Sequence, residues 1–264
     1  MALDDKIINE IAEQLLEAER TCESLDSISK RYPGLDYDDA YKIQNTVIQK
    51  RVANGAKIVG LKIGQTSKAM QELVGIKEPD FGTILDDKVY AEGRPIPVDS
   101  MMYPRIEVEI GFYLEKDIEG PGVNVLDVLD ATKGVFPLLE VKDSRVKDPH
   151  NTTVEDSIAD NATSGVVIFG GKLTPLTEDL DLRLVGMIFE HNGKVIDSAT
   201  GVESLGNPAE AVAWLANKLS EYGMKLNKGQ FIMSGGLTKA IECTPGSCFK
   251  ATFDRLGSVS AIFK

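Results

Sequence analysis

Apolar residues recur at Leu3, Ile7, Ile8, Ile11, Leu15 and Leu16 with acids between them, a spacing that lays one apolar stripe along a helix. The chain therefore opens with an amphipathic helix whose stripe must cover another part of the protein. A second helix is signalled by Asp36-Tyr37-Asp38-Asp39-Ala40 and the apolar positions Tyr41, Ile43, Val47 and Ile48. Asp36 suits its N-cap, and the following acids suit the positive end of the helix dipole. Asn54-Gly55 stops it. After that the pattern changes to short apolar runs broken by Gly, Pro, Asn and Asp, the punctuation of a β-rich chain.

The clearest hairpin is Val185 to Asp197, where Asn192-Gly193 supplies the two positive-φ residues of a type I′ turn. A late helix runs from Pro208 to Tyr222, with Val212, Leu215, Ala216 and Leu219 on one face. Gln230 to Gly236, Ser247 to Phe253 and Ser258 to Phe263 read as short strands. No internal repeat or low-complexity segment interrupts this. The expected architecture is α+β: a helical N-terminal region, 1–57, and a β-rich catalytic domain, 58–264.

Composition narrows the function. The 42% hydrophobic and 27% charged residues are those of an ordinary globular protein. A net charge of -12 repels phosphate polyanions and anionic membranes, so nucleic acid is not an expected partner. An acidic chain that binds a small anion needs a local positive charge, and a divalent cation is one source. The acidic N-terminus is unlike a signal peptide, and no apolar run reaches the roughly 18–20 residues of a membrane helix. Cys22, Cys243 and Cys248 are odd in number and form no Cys-x-x-Cys pair, which suits a reducing cytoplasm. Two histidines make a zinc finger implausible.

The alternation in Arg105-Ile-Glu-Val-Glu-Ile-Gly-Phe-Tyr-Leu114 points Glu107 and Glu109 to one face of a strand, roughly 7 Å apart at the backbone. Such a pattern is ordinarily a half-solvated strand. Alternatively, a cation sits between the two carboxylates, and oxygen-only ligands favour Mg²⁺ or Mn²⁺. Glu140 ends the apolar run from Val135, where a carboxylate is costly unless paired, for example with Lys142, or metal-bound. Lys62, in Ile58-Val-Gly-Leu-Lys-Ile-Gly64, either snorkels to water or is held in a site; desolvation there would push its pKa down, as acid–base work requires. Asp80, in Glu78-Pro-Asp-Phe-Gly82, reads by pattern as a turn residue.

Several segments occur together and in order: Gly60-Leu-Lys-Ile-Gly64 with Thr66 to Met70, Glu78 to Gly82, Pro104 to Glu109, Leu139-Glu140 with Asp143-Ser-Arg145, Ala159 to Ala162, Trp214 to Asn217, Ile232 to Gly236, and Gly257 to Val259. This set resembles the 2-oxopent-4-enoate (2-hydroxypenta-2,4-dienoate) hydratase and 4-oxalocrotonate decarboxylase family, of the fumarylacetoacetate hydrolase superfamily, over nearly the whole chain. The resemblance implies that Glu107, Glu109 and Glu140 ligate Mg²⁺, with Mn²⁺ a plausible substitute, and that Lys62 and Asp80 are catalytic. It also implies that Thr66, Ser67, Asn161 and Ser234 line the substrate. The implied fold is a small helical region on a mostly β domain rolled into a distorted barrel. The implied partners are a small 2-oxo or 2-hydroxy dienoic acid, further copies of the chain in a homo-oligomer, and a paired pathway enzyme. The sequence departs from the family pattern at Gln65, at Asn207, where a histidine is frequent, and at Asp148-Pro149-His150, which bears on substrate size.

The implied activity is hydration of a 2-hydroxy-2,4-dienoate to a 4-hydroxy-2-oxo acid in catabolism of aromatic compounds, with Asp80 as discriminator. Hydratases of the family commonly carry an aspartate there, and decarboxylases an apolar residue. Against this, Phe231 to Thr238 and Glu119 to Gly122 look as much like the decarboxylase branch, so 4-oxalocrotonate decarboxylation is the alternative. A carbon–carbon bond hydrolase would need a Glu–His pair, and neither His150 nor His191 is placed convincingly for one. A relative that keeps the fold without catalysis is the non-enzyme alternative.

Overall fold

Asp4 accepts a hydrogen bond from the Ile7 amide at 2.8 Å and caps α1 (Asp5–Thr21), which buries Ile8, Ile11 and Leu15, as an N-cap satisfies a free amide at a helix start. The fold comes from a computed structural model that describes residues 3–68, 71, 72, 75–148 and 152–264. A single turn, α2 (Ile28–Arg31), leads to α3 (Tyr37–Ala53). Asp36 caps α3 as its sequence suggests, accepting from the Asp39 amide at 3.0 Å.

The β-rich part begins at β1 (Ile58–Gly64) and continues through β2 (Asp80–Leu85), β3 (Val89–Ala91) and β4 (Arg105–Leu114). After α4 (Val125–Ala131) come β5 (Thr132–Lys142), α5 (Val154–Ala159), β6 (Ser164–Phe169), β7 (Gly186–His191) and β8 (Lys194–Thr200). Helix α6 (Pro208–Glu221) precedes β9 (Phe231–Met233), β10 (Ile241–Glu242), β11 (Cys248–Phe253) and β12 (Gly257–Ile262). Helices α4 and α5 went unsignalled because they are too short, at 7 and 6 residues, to show an apolar period. Capping boxes start both of them. Asn207 caps α6 by accepting from the Ala209 amide at 3.1 Å. The Asn192-Gly193 turn has φ of 51° and 74°, as a type I′ hairpin needs.

One sheet of eight strands follows the order β2-β1-β9-β4-β5-β6-β3, with β10 added beside β4; the other has the order β12-β11-β7-β8. The larger sheet is strongly curled. Lys62 on β1 contacts Glu140 on β5, although a flat sheet would hold strands three places apart at about 14 Å. Twist rolls the sheet until β1 faces β5 across an interior.

The N-terminal helices are fastened to this sheet. In α3, the buried Gln44 donates to the carbonyls of Phe81 and Ile158 at 2.9 Å each, and Tyr41 stacks on Phe81 with ring centroids 4.3 Å apart. Ile11 and Ile43 of the helices share one apolar core with Ile63, Ile106, Val141 and Phe249. The face of β2 that begins at Asp80 is thus buttressed from behind by helix. Among the described residues, no helix is long and apolar enough to cross a membrane.

Candidate active site

Register explains how distant carboxylates meet. β4 and β5 pair antiparallel with Glu107 directly opposite Glu140, and directly opposed residues share a face. Glu109, two residues along, lies on that face as well. One carboxylate oxygen from each of the three falls within 4.8 Å of the others. Glu109 and Glu140 are buried, whereas the Glu107 side chain is 15% exposed.

The hydrogen bonds around the triad are incomplete. Glu109 Oε2 accepts from the Gly235 amide at 2.7 Å, but its Oε1 is buried with no protein partner. Burial, followed by the repulsion of Glu140, pushes the Glu109 carboxyl well above the usual range, and Lys62 offsets only part of this. An oxygen-only cluster with an orphaned buried carboxylate oxygen fits a hard divalent cation such as Mg²⁺ or Mn²⁺. A histidine- or thiolate-seeking metal finds no such donor in this set.

Lys62 does not snorkel. It is 1% exposed, donates to Glu140 and to the carbonyl of Ala162, the latter at 2.8 Å. Nor does Glu140 pair with Lys142; that lysine lies 3.4 Å from Glu107 instead. The Glu107 carboxylate, helped by Glu140 and Asp80 and opposed by burial, holds the Lys142 ammonium above the usual lysine range.

Asp80 is no turn residue but the buried first position of β2. It lies opposite Gly64, and Lys62 opposite Gly82, so Lys62 and Asp80 are diagonal neighbours on one face. Gly64 leaves the room: a Cβ there would come within 2.1 Å of Asp80 Oδ1. Ser157 donates to Asp80 Oδ2 at 3.2 Å, while Oδ1 is buried without a protein partner. Burial raises the Asp80 carboxyl, and the nearby lysines and Ser157 only partly offset it. A carboxyl whose pKa burial raises is a stronger proton acceptor than a solvated one, which suits acid–base work.

The carbonyl that holds Lys62 belongs to an unusual turn. Asn161, Ala162 and Thr163 have φ of 53°, 50° and 54°, a left-handed run that costs roughly 1–2 kcal/mol per residue bearing a Cβ. Neighbours enforce it. Asn161 accepts from the Thr83 amide at 2.8 Å and donates to the Thr83 carbonyl at 2.9 Å. Arg145, buried, pairs with the Asp160 carboxylate and donates at 2.6 Å to the carbonyls of both Asp160 and Ser164. Strain held by such surroundings is typical of sites where one group must point in one direction.

Of the other sequence-selected residues, Thr66 is buried against Gly235, where a Cβ would come within 2.2 Å of the threonine hydroxyl. Ser67 is half-buried. The buried Ser234 hydroxyl donates to the Ile110 carbonyl at 2.9 Å, and both ends of the Asn161 amide are engaged with Thr83. Gln65 adopts φ 59°; Ala69, Met70, Pro149 and His150 lie outside the described residues. His191 stacks on Phe249, with centroids 4.4 Å apart, in the smaller sheet. Sequence reasoning missed the Ala162 carbonyl, the Gly235 amide and Ser157. The first two are backbone groups that no side-chain pattern can mark, and Ser157 has no local signal.

Comparison with known proteins identifies the family and the fold. The family model described as Fumarylacetoacetate (FAA) hydrolase C-terminal matches residues 59–263. A 2-oxo-hept-4-ene-1,7-dioate hydratase of Escherichia coli is 40% identical over 259 residues, covering 96% of each chain. A 2-keto-4-pentenoate hydratase of Paraburkholderia xenovorans is 37% identical, covering 97% of this chain and 94% of its own. The solved 4-oxalocrotonate decarboxylase of Pseudomonas putida, complexed with magnesium and adipate, superposes with a TM-score of 0.96 at 35% identity, covering 100% of this chain and 99% of that one.

Proposed function

Since the chain belongs to the fumarylacetoacetate hydrolase family, we propose that it is a Mg²⁺-dependent lyase that adds water to a 2-hydroxy-2,4-dienoate to give a 4-hydroxy-2-oxo acid. Glu107, Glu109 and Glu140 would hold the ion. Bound there, it supplies positive charge that stabilises the negative charge developing on the 2-oxo oxygen of the substrate.

The protein's own groups handle the protons. In this reading Lys62, held between the Glu140 carboxylate and the Ala162 carbonyl, gives a proton to the terminal carbon of the dienol and recovers one from the 2-hydroxyl as that becomes the ketone. Asp80, with one buried oxygen that has no protein partner, would take a proton from the water as its oxygen adds to C4 of the conjugated double bond and return that proton to C3. Buried walls around both restrict bulk water. Thr66, Ser67, Asn161 and Ser234 belong to the substrate-lining shell in this reading, with Asn161 and Ser234 acting through the backbone they hold.

The observation that carries hydration is the buried carboxyl of Asp80. Loss of CO₂ from a vinylogous keto acid yields the same dienolate without needing a carboxylate beside the departing group. The likeness to the decarboxylase structure keeps that second reading in view. The substrates named for the relatives include mono- and dicarboxylic acids. The deciding experiment follows the ultraviolet absorbance and products of purified protein with Mg²⁺ and 2-hydroxypenta-2,4-dienoate or, separately, 4-oxalocrotonate. A water adduct is expected. CO₂ release without any adduct would replace hydratase by decarboxylase, and inertness towards both would remove the lyase reading.

A further inference from the structure

The shared face of β4 and β5 carries a graded row. Glu109 lies opposite Leu138, Glu107 opposite Glu140, and Arg105 opposite Lys142. Exposure rises along it: the Glu140 side chain is 1% exposed, Glu107 15% and Lys142 30%. The sealed end is acidic and the open end basic.

Two cations in directly opposed positions repel each other, and Arg105 spends one N–H on the Ala240 carbonyl at 2.9 Å. At 3.4 Å, Lys142 is only loosely engaged with Glu107. Glu107 is also a carboxylate that a divalent ion would claim, leaving the ammonium free to turn towards an incoming anion. Lys142 follows Glu140 by two residues on β5 and touches Glu107 across the strand pair, so it stands at the open edge of the carboxylate triad.

We infer that Lys142 is a specificity-determining residue that receives the far carboxylate of a dicarboxylic 2-oxo acid, with Arg105 beside it. The inference rests on the lyase reading above and selects the dicarboxylic branch of its substrates. Distance supports it. With the Lys142 ammonium turned out from Glu107, the spacing that counts is that of the backbone, where the Glu107–Glu140 and Arg105–Lys142 pairs are one two-residue step, about 7 Å, apart. An extended six- or seven-carbon chain separates its end carbons by roughly 6–8 Å, given C–C bonds of about 1.5 Å. A five-carbon acid with one carboxylate has nothing to offer at that point.

The test compares Lys142→Met and Lys142→Arg with the parent protein, all loaded with Mg²⁺. The ratio of kcat/KM for 2-hydroxyhepta-2,4-diene-1,7-dioate to that for 2-hydroxypenta-2,4-dienoate is measured. Lys142→Met is expected to lower this ratio by about ten- to a hundredfold, as for loss of one charge-assisted hydrogen bond, through KM. Lys142→Arg should keep it within a few-fold. Calorimetry of adipate against pentanoate gives the same comparison without turnover, and the preference for adipate should vanish in Lys142→Met. Equal losses for both substrates, an unchanged adipate preference, or a parent protein that prefers the monocarboxylic acid would each overturn the assignment. Inertness of the parent towards both dienoates, with adipate preference intact, would instead reject the lyase reading and keep the carboxylate subsite.

Discussion

Strands β4 and β7 carry the same kind of pattern and meet different fates. In β4, Ile106 and Val108 alternate with Glu107 and Glu109; in β7, Met187 and Phe189 alternate with Ile188 and Glu190. Both strands have neighbours on either side. The face of β7 that carries Glu190 looks outward: Ile188 is 43% exposed and Glu190 sits opposite Lys250. The polar face of β4 looks into the curl of its sheet, where Glu109 is completely buried. A period of two therefore says which residues share a face and nothing about what that face meets. The chemistry lies in the difference, because a buried carboxylate with an unpartnered oxygen is stable only if something else supplies the charge.

The sharpest way to break this contrast is Glu109→Gln. Removing one charged ligand should weaken Mg²⁺ binding by at least about a hundredfold, more than loss of an outer-shell partner, and abolish turnover, as read by calorimetry and dienoate assay. Metal-free stability should move the other way. A carboxyl whose pKa is raised by folding binds its proton more tightly folded than unfolded, so Glu109 destabilises the metal-free protein increasingly as pH rises above the ordinary carboxylate range. The amide removes that slope, and metal-free melting near neutral pH should occur at a higher temperature than in the parent. Undiminished Mg²⁺ affinity would take Glu109 out of the ligand set.

A smaller effect is expected at Asn161, which separates the side chains that touch substrate from those that hold the backbone. Asn161→Ala removes both bonds to Thr83 and should cost about 1–3 kcal/mol of stability, as for unsatisfied buried groups. With the turn loosened, the Ala162 carbonyl no longer fixes Lys62, and kcat should fall about tenfold, equivalent to roughly 1.4 kcal/mol. KM should change little. A rise in KM with kcat preserved would show that the Asn161 amide itself contacts substrate.

Much of this was legible in the chain before any coordinates. The Asp36 cap, the Asn192-Gly193 turn and the alternation at Glu107 and Glu109 are local signals, and each appears where the residues imply it. The family motifs gathered Lys62, Asp80 and Glu140 into one expectation. What stayed hidden depends on the curl. Nothing in the Lys62 segment says that its strand will face Glu140 across the interior, so the local pattern leaves the lysine open between snorkelling to water and being held in a site. The left-handed turn was hidden for another reason: Asn161 favours such φ values, but Ala162 and Thr163 do not. That turn is imposed by Arg145 and Thr83 from elsewhere in the chain.

The smallest effect, and the control for the largest, is the same chemical change in the other strand. Glu190→Gln removes one negative charge from β7, where the side chain is only half-buried and faces Lys250 across the strand pair. An exposed cross-strand ion pair contributes roughly 0.2–1 kcal/mol, and water screens what remains. Stability should therefore shift by no more than about 0.5 kcal/mol, the usual range for surface substitutions. Mg²⁺ affinity and turnover should match the parent, because Glu190 belongs to the sheet that does not carry the carboxylate triad. Chemical denaturation and the dienoate assay, run beside Glu109→Gln, check both points. If Glu190→Gln lowered metal affinity as well, the smaller sheet would be coupled to the site, and burial alone would no longer explain why one glutamate in an alternating strand is functional and the other is not.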